Sequence, residues 1–550
     1  MAASASYRIY ASLFHVPAHL ASLPRASPWL TLRLLLSRAP ALDLIDKQMH
    51  AVRLDAKHRG LISDLSQTPR MFASWVLGRW SVVLANADDA KVVLTKIETF
   101  EKMDFLALGF GTTGRFLGRN VAMVRTHEWR GQRKVINPAF RRGWDTRLFA
   151  EPARHLIAQI DQLDGRPADV ADWMQRVTLD ALAGAAFGQD FQAVRQGNKS
   201  DMLKTYDAVM KGITSPVLLL FGKWGRWMPS VRKVENEIAR FDEYIFAIID
   251  QKVAEIRARG RDEEVGEEEE SKMDLLELMI RAQMKDHGQS GGSGGFTREE
   301  LRSNVVTFFL AGHDTTANSL TFALYLLGLH QDKQQLARAE VLRVMGDDAI
   351  VTPTSDNASA DSFPYPSNMQ QAQLTYISHI VKEVLRLYPS VLRIPMRDLQ
   401  SPFTFTSTTP PVSVPKGTLV VVHSYAIQRA KEYWGADADE FKPERWAKLA
   451  SAPTAAATAP DGTDGSATTS VPIHPGAHNY TWIPFGGGAR TCVGNAFSLV
   501  EQRVILAMLL LRYTWKVVGN EAALKGRPRT APGGGLLHAE GIMIEFTRRN

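Results

Sequence analysis

Cys492 is the only cysteine among 550 residues, and it stands in Phe485-Gly-Gly-Gly-Ala-Arg490-Thr-Cys492-Val-Gly494. A lone thiol makes no intrachain disulfide and no four-cysteine zinc or iron–sulfur site, so metal chemistry here draws on one sulfur. A free cysteine is usually a small buried hydrophobe; the surroundings point elsewhere. Three consecutive glycines let backbone amides approach a ligand closely. Residues 493–511 then read, by apolar spacing, as a buried helix. Cys492 therefore stands at a helix start two residues from Arg490, where the helix dipole and a positive charge favour the thiolate.

Ala311-Gly312-His313-Asp314-Thr315-Thr316 is a polar interruption of a long helical pattern, flanked by Phe308, Phe309, Leu310 and Leu320. Gly inside a helix costs about 1 kcal/mol relative to Ala, and Asp and Thr are poor interior formers. A glycine there leaves room against the backbone, and threonine hydroxyls bond back to a carbonyl one turn earlier. Glu383 and Arg386 lie three apart on a helical pattern and can pair, as many such residues do for small gains. Trp129 and Arg133 lie four apart and share a helix face. Arg130, Lys134, Arg141 and Arg142 read as a solvated basic patch able to meet an acidic protein. Gly109-Phe-Gly-Thr-Thr-Gly114 fits a dinucleotide fingerprint, but no β-branched strand precedes it and no convincing helix follows, so nucleotide binding is set aside.

The elements that must position these residues are mainly helices. Residues 74–85 read as two short strands about a Gly78-Arg79 turn, followed by a helix from about Asp88. Residues 150–250 are mostly helical in pattern. Thr297 and Glu300 form a capping box that opens the longest helix, running to about residue 329 and roughly 48 Å long. Strand signals otherwise gather near 402–422. Acidic and Gly/Ser-rich runs within 262–296, and Ser/Thr/Ala/Pro-rich stretches at 347–368 and 449–475, read as surface insertions. The expected architecture is mainly α with small β-sheets: an N-terminal region over 1–69 and one large unit over 70–550. A balance of 65 basic against 58 acidic residues, net +7, does not argue for nucleic acid. No stretch near the start has the about 20 apolar residues of a spanning helix; Ile9–Leu23 and Trp29–Leu36 suit surface association with a membrane instead.

Phe485, Gly488, Arg490, Cys492 and Gly494 at this spacing resemble the haem-binding loop of the cytochrome P-450 superfamily. The other segments follow in that family's order from about residue 70 onward, as in a fungal microsomal-like member. The resemblance implies a P-450-like fold: a long central helix over a haem, and the cysteine-ligand loop before a C-terminal buried helix. It makes Cys492 the proximal iron ligand with Phe485 packed near the sulfur. Arg490, Trp129, Arg133 and Arg393 become contacts of the haem propionates. Gly312 makes room for dioxygen, Thr315 hydrogen-bonds the bound oxygen and Asp314 relays protons; His313 has no matching role and is a polar neighbour. Glu383, Arg386 and Arg445, the last within Phe441–Trp446, form a buried ionic triad. The cofactor implied is haem b, held non-covalently because Ala311 replaces the glutamate that tethers haem in one animal branch.

The implied activity is insertion of one oxygen atom of O2 into an apolar substrate. A fatty acid or other lipid-like molecule is the first expectation, and a terpenoid or other secondary metabolite the second. A haem-thiolate isomerase or a haem-binding sensor ranks lower, because Asp314-Thr315 is intact. Phe105, Leu108, Phe110 and Phe116, with Pro216–Phe221, suit an apolar guest, and Lys223–Met228 suits a membrane interface. A separate NADPH-dependent reductase is the expected electron donor, and the cytosolic face of the endoplasmic reticulum membrane the expected location.

Overall fold

The computed structural model describes all residues except 1–14, 77–78, 105–110, 142, 198–200, 214, 216–217, 219–226, 260–272, 288–295, 347–362, 448–479, 520, 533–534 and 550. Phe105, Leu108, Phe110, most of Pro216–Phe221, residues 223–226 and most of the three insertions therefore lie outside the described residues. The architecture is mainly helical with small sheets. The helices around the site are α1 (Ala41–His58), α2 (Ala87–Thr95), α3 (Thr126–Arg141), α4 (Val170–Leu182), α5 (Asp201–Ile213), α6 (Arg298–Leu329), α7 (Thr375–Leu387) and α8 (Asn495–Arg512).

Helix α6 is buried all round over most of its length, as expected of a helix crossing a core rather than lying on one. Its start is the expected capping box: Glu300 N donates to Thr297 Oγ1 at 3.1 Å, and Thr297 N donates to Glu300 Oε2 at 2.9 Å. Val504 to Leu510 of α8 are fully buried, so α8, α7 and α4 pack with α6 around one apolar core.

The largest sheet has five strands in the order β1-β2-β8-β5-β3, with β1 (Met71–Val76), β2 (Arg79–Leu84), β3 (Phe100–Lys102), β5 (Ile394–Leu399) and β8 (Leu419–Val422). β1 and β2 are the antiparallel pair expected at 74–85, with Trp75 opposite Trp80. The helix expected from Asp88 opens at Ala87, capped by Asn86, whose side chain accepts from Asp89 N at 2.9 Å. β5 and β8 change register between Ile394 and Arg397, the mark of a bulge. β6 (Phe403–Phe405) pairs with β7 (Val412–Val414), while β4 (Ala168–Asp169), β10 (Met543–Arg548) and β9 (Tyr513–Val518) form the third sheet.

Gly111–Leu117 does form a short helix, contrary to expectation. The strand before it, β3, is antiparallel at a sheet edge, unlike the parallel strand of a dinucleotide fold. No helix among the described residues is long and apolar enough to cross a membrane.

Candidate active site

The loop before α8 is a set of close backbone approaches. Cys492 N donates to the Phe485 carbonyl at 2.9 Å, and Thr491 Oγ1 reaches the same oxygen at 3.3 Å. Gly488 has φ +66°, and a Cβ there would overlap the Leu94 carbonyl oxygen of α2. A Cβ on Gly487 would come within 2.7 Å of the Tyr480 ring. These two glycines let the loop lie flat against α2.

Between this loop and α6 lies a cavity of ≈ 280 Å³. Phe485, Arg490, Cys492 and Gly494 line one side; Phe308, Ala311, Gly312, Thr315 and Thr316 line the other. The Cys492 side chain is accessible, and its accessible surface is cavity surface deep inside the protein. Burial accordingly pushes the Cys492 thiol up, outweighing the Gly494 amide and Arg133, which pull it down. The sequence expectation that the helix dipole and a nearby charge favour the thiolate is thus outweighed by burial; a bound cation must displace the proton.

Arg490 is not directed at the sulfur. It donates to Val124 O at 2.9 Å and Thr126 Oγ1 at 3.3 Å, lies 3.8 Å from Glu101, and stacks 4.9 Å over the Trp129 ring. Trp129 and Arg133 do share a face of α3, although neither lines the cavity; Arg133 is the cation felt by Cys492. Arg393 is not among the residues that line the cavity; its Nη2 donates to Gln48 of α1 at 2.6 Å. Arg397, on β5 just after the register shift, does line the cavity.

Arg397 and Lys102 carry no sequence signal that singles them out. Lys102 lies on the three-residue strand β3, and burial, then Arg397 and Arg490, push its amine well down. Burial lowers Arg397 and Arg490 to about 10 each. The Nε atoms of both arginines are buried without a hydrogen-bond partner among the described residues. Three basic side chains thus meet at one edge of the cavity, with Glu101 the carboxylate beside them among the described residues. Buried positive charge in excess is costly unless an anion answers it. A group with two carboxylates at that edge and a metal above Cys492 fits this donor set, as haem does.

On the opposite wall, Thr315 Oγ1 donates to Ala311 O at 2.8 Å and so presents its lone pairs to the cavity. Gly312 lines the cavity too, and a Cβ there would come within 2.7 Å of Leu182 Cδ1, another cavity-lining side chain, on α4. Asp314 does not line the cavity. It is buried, with Oδ2 accepting from Tyr206 of α5 at 3.0 Å and Oδ1 3.3 Å from His313 Nε2. Tyr206 was invisible to sequence reasoning, since only tertiary packing brings α5 onto α6.

A sequence profile described as Cytochrome P450 matches residues 49–546. Cytochrome P450 monooxygenase 205 of Postia placenta is 26% identical over 506 residues, covering 86% of this chain and 83% of that protein. Cytochrome P450 monooxygenase ALT8 of Alternaria alternata is 26% identical, covering 96% and 89%. Cytochrome P450 4A14 of Rattus norvegicus is 24% identical, covering 84% and 81%. The chain belongs to the cytochrome P450 family and is an oxidoreductase, a haem-thiolate monooxygenase with haem b as its cofactor.

Proposed function

We propose that this monooxygenase hydroxylates an apolar, lipid-like substrate, a long-chain fatty acid or hydrocarbon, with electrons from a separate NADPH-dependent reductase. The observation that carries this reading is the cavity with the Cys492 sulfur on one wall and the Thr315 hydroxyl on the other, completed by apolar side chains such as Phe308, Leu182, Val391 and Ile394. Bound there, haem supplies an iron whose thiolate ligation favours O–O cleavage. Cys492 Sγ would hold the iron, with Phe485 beside it on the same wall. Arg490, Arg397 and Lys102 would answer the two carboxylates from the cavity wall, with Trp129 stacked on Arg490 and Arg133 adding positive charge near Cys492. Gly312 lets α6 pass close to the cofactor. Thr315 Oγ1 accepts a hydrogen bond from the cavity side, and Asp314 exchanges protons behind it.

Incubated with reductase, NADPH and a panel of dodecanoate, dodecane and a monoterpene, the protein is expected to consume NADPH in step with a hydroxylated fatty acid or alkane. Product without NADPH would mark an isomerase. Binding without consumption would mark a carrier, and product from the monoterpene alone would move the substrate to the terpenoid class.

The working surface we propose is the cytosolic face of the endoplasmic reticulum membrane. Helix Pro28–Leu36 leaves Trp29 50% and Leu36 56% exposed, and Trp227 is 87% exposed. Apolar and aromatic side chains beside Arg33 suit the headgroup boundary. Flotation with phosphatidylcholine–phosphatidylserine vesicles should recover wild type in the bound fraction and lose most of a Trp29→Glu, Leu36→Glu double variant; equal recovery of the two would remove this surface.

A further inference from the structure

His313 was given no role by its place in the sequence, yet the structure sets both of its ring nitrogens against acceptors. Nδ1 lies 2.5 Å from the Phe309 carbonyl oxygen, which can only accept, so Nδ1 carries a proton. Nε2 lies 3.3 Å from Asp314 Oδ1. The other Asp314 oxygen accepts from the Tyr206 hydroxyl at 3.0 Å. A neutral imidazole beside an ionised Asp314 would press two lone pairs together, with His313 4% and Asp314 5% exposed. One additional proton turns that repulsion into a hydrogen bond.

We propose that His313 and Asp314 jointly hold one stored proton behind the cavity wall, and that Tyr206 is a positioning residue that keeps Asp314 turned towards it. The proposal rests on the reading of Asp314 as the proton carrier and names where its proton waits. The balance is internal: when Nε2–H passes its proton to Oδ1, the imidazolium and carboxylate become imidazole and carboxylic acid. Nδ1 still donates to Phe309 O, and no oxidant or reductant enters. When Asp314 then gives its proton towards Thr315, the pair takes one back from water.

The neighbours suit this storage. From α5, the Asp207 carboxyl is pushed up chiefly by burial, with Lys211 and His313 pulling down and Asp314 pushing up. Asp172 of α4 also pushes Asp207 up. Burial and Asp314 hold the Tyr206 phenol well above its ordinary range, so it stays a donor. From the C-terminal segment, His538 Nδ1 lies 3.3 Å from Asn318, whose amide donates to the Asp314 carbonyl at 2.7 Å. Thr178 of α4 caps the His313 carbonyl at 3.2 Å. Main-chain anchors on both residues leave the side-chain proton as the mobile element.

The experiment compares the holoprotein with His313→Gln, Asp314→Asn and Tyr206→Phe by infrared difference spectroscopy in H2O and D2O at neutral pH. The expected result is an imidazolium or protonated-carboxyl band in wild type that is absent from His313→Gln and from Asp314→Asn and shifted in Tyr206→Phe. With reductase, NADPH and dioxygen and no organic substrate, His313→Gln should also raise the solvent isotope effect on NADPH oxidation roughly threefold, by forcing each proton to come from water. Identical bands in wild type and His313→Gln would overturn the stored proton. Should His313→Gln fail to fold, the same band surviving in Asp314→Asn overturns it. The infrared result does not require turnover, so a band without NADPH-driven turnover would leave the stored proton standing and remove the catalytic reading instead.

Discussion

Cys492→Ser is expected to keep its fold but to give a reduced carbon monoxide complex without the red-shifted Soret band of a thiolate ligand, with NADPH-dependent hydroxylation lost by about 10³-fold or more. The loop survives because its closing hydrogen bond uses the Cys492 backbone amide, and the glycine approaches to α2 and Tyr480 do not involve the side chain. What changes is the atom that faces the cavity. Burial already holds the thiol protonated until a cation displaces its proton, and a hydroxyl, intrinsically a weaker acid, resists the same exchange far more. The surrounding cations Arg133, Arg490, Arg397 and Lys102 remain, so haem can still enter. The wild-type spectrum is the control: a Soret band without the thiolate shift there would sink the assignment of Cys492 as ligand. A shifted band in Cys492→Ser would show that another atom binds the iron.

Residues that do their work through local spacing were the legible ones. The cysteine loop, the polar interruption of α6, the Thr297–Glu300 box and the Glu383-Arg386 pair are each confined to about ten residues, and each forms in the structure where the spacing puts it. What spacing could not convey was direction. Arg393 was the cation that the sequence singled out, yet Arg397, four residues on in β5, is the one that lines the cavity. Asp314 is in the helix as read, but its carboxylate turns to Tyr206, a residue 108 positions away. The sign of the Cys492 shift also escaped, because dipole and charge are visible locally whereas desolvation depends on the whole fold. β9 was missed for another reason: it begins at Tyr513 directly after α8 ends at Arg512, with no glycine or proline between them. Its alternation of buried Tyr513, Trp515 and Val517 with less buried neighbours is strand-like once the helix is known to stop.

Glu383→Ala is expected to destabilise the fold by ~3–5 kcal/mol and to yield protein with little bound haem. Glu383 and Arg386 have no exposed surface. Glu383 Oε1 accepts from Arg386 Nη2 at 2.9 Å, Arg445 Nε at 2.8 Å and Lys442 N at 3.0 Å, and Oε2 accepts from Arg386 Nε at 2.9 Å and Trp446 Nε1 at 3.0 Å. Burial already lowers the Arg386 guanidinium despite this partner, so removing the carboxylate leaves a cation in the core met by carbonyls and the Trp434 ring but by no anion among its described contacts. Haem is lost because the damage is wired to the ligand loop. Gln428, whose carbonyl accepts from Arg386, donates to Leu385 O at 2.9 Å and accepts from Ile483 N at 2.7 Å, two residues before Phe485. Trp482 Nε1 meanwhile donates to Lys382 O at 3.2 Å, beside Glu383 itself. Arg445→Ala should cost less, because Glu383 then keeps Arg386 and the buried pair stays neutral, while Asp437, Arg445's second carboxylate, is less deeply buried. Denaturant unfolding midpoints and the haem-to-protein ratio of both variants test the ordering. If Glu383→Ala unfolds at the wild-type midpoint with full haem, the triad does not hold the loop; if Arg445→Ala proves the worse, the charge balance assigned to Glu383 and Arg386 is wrong.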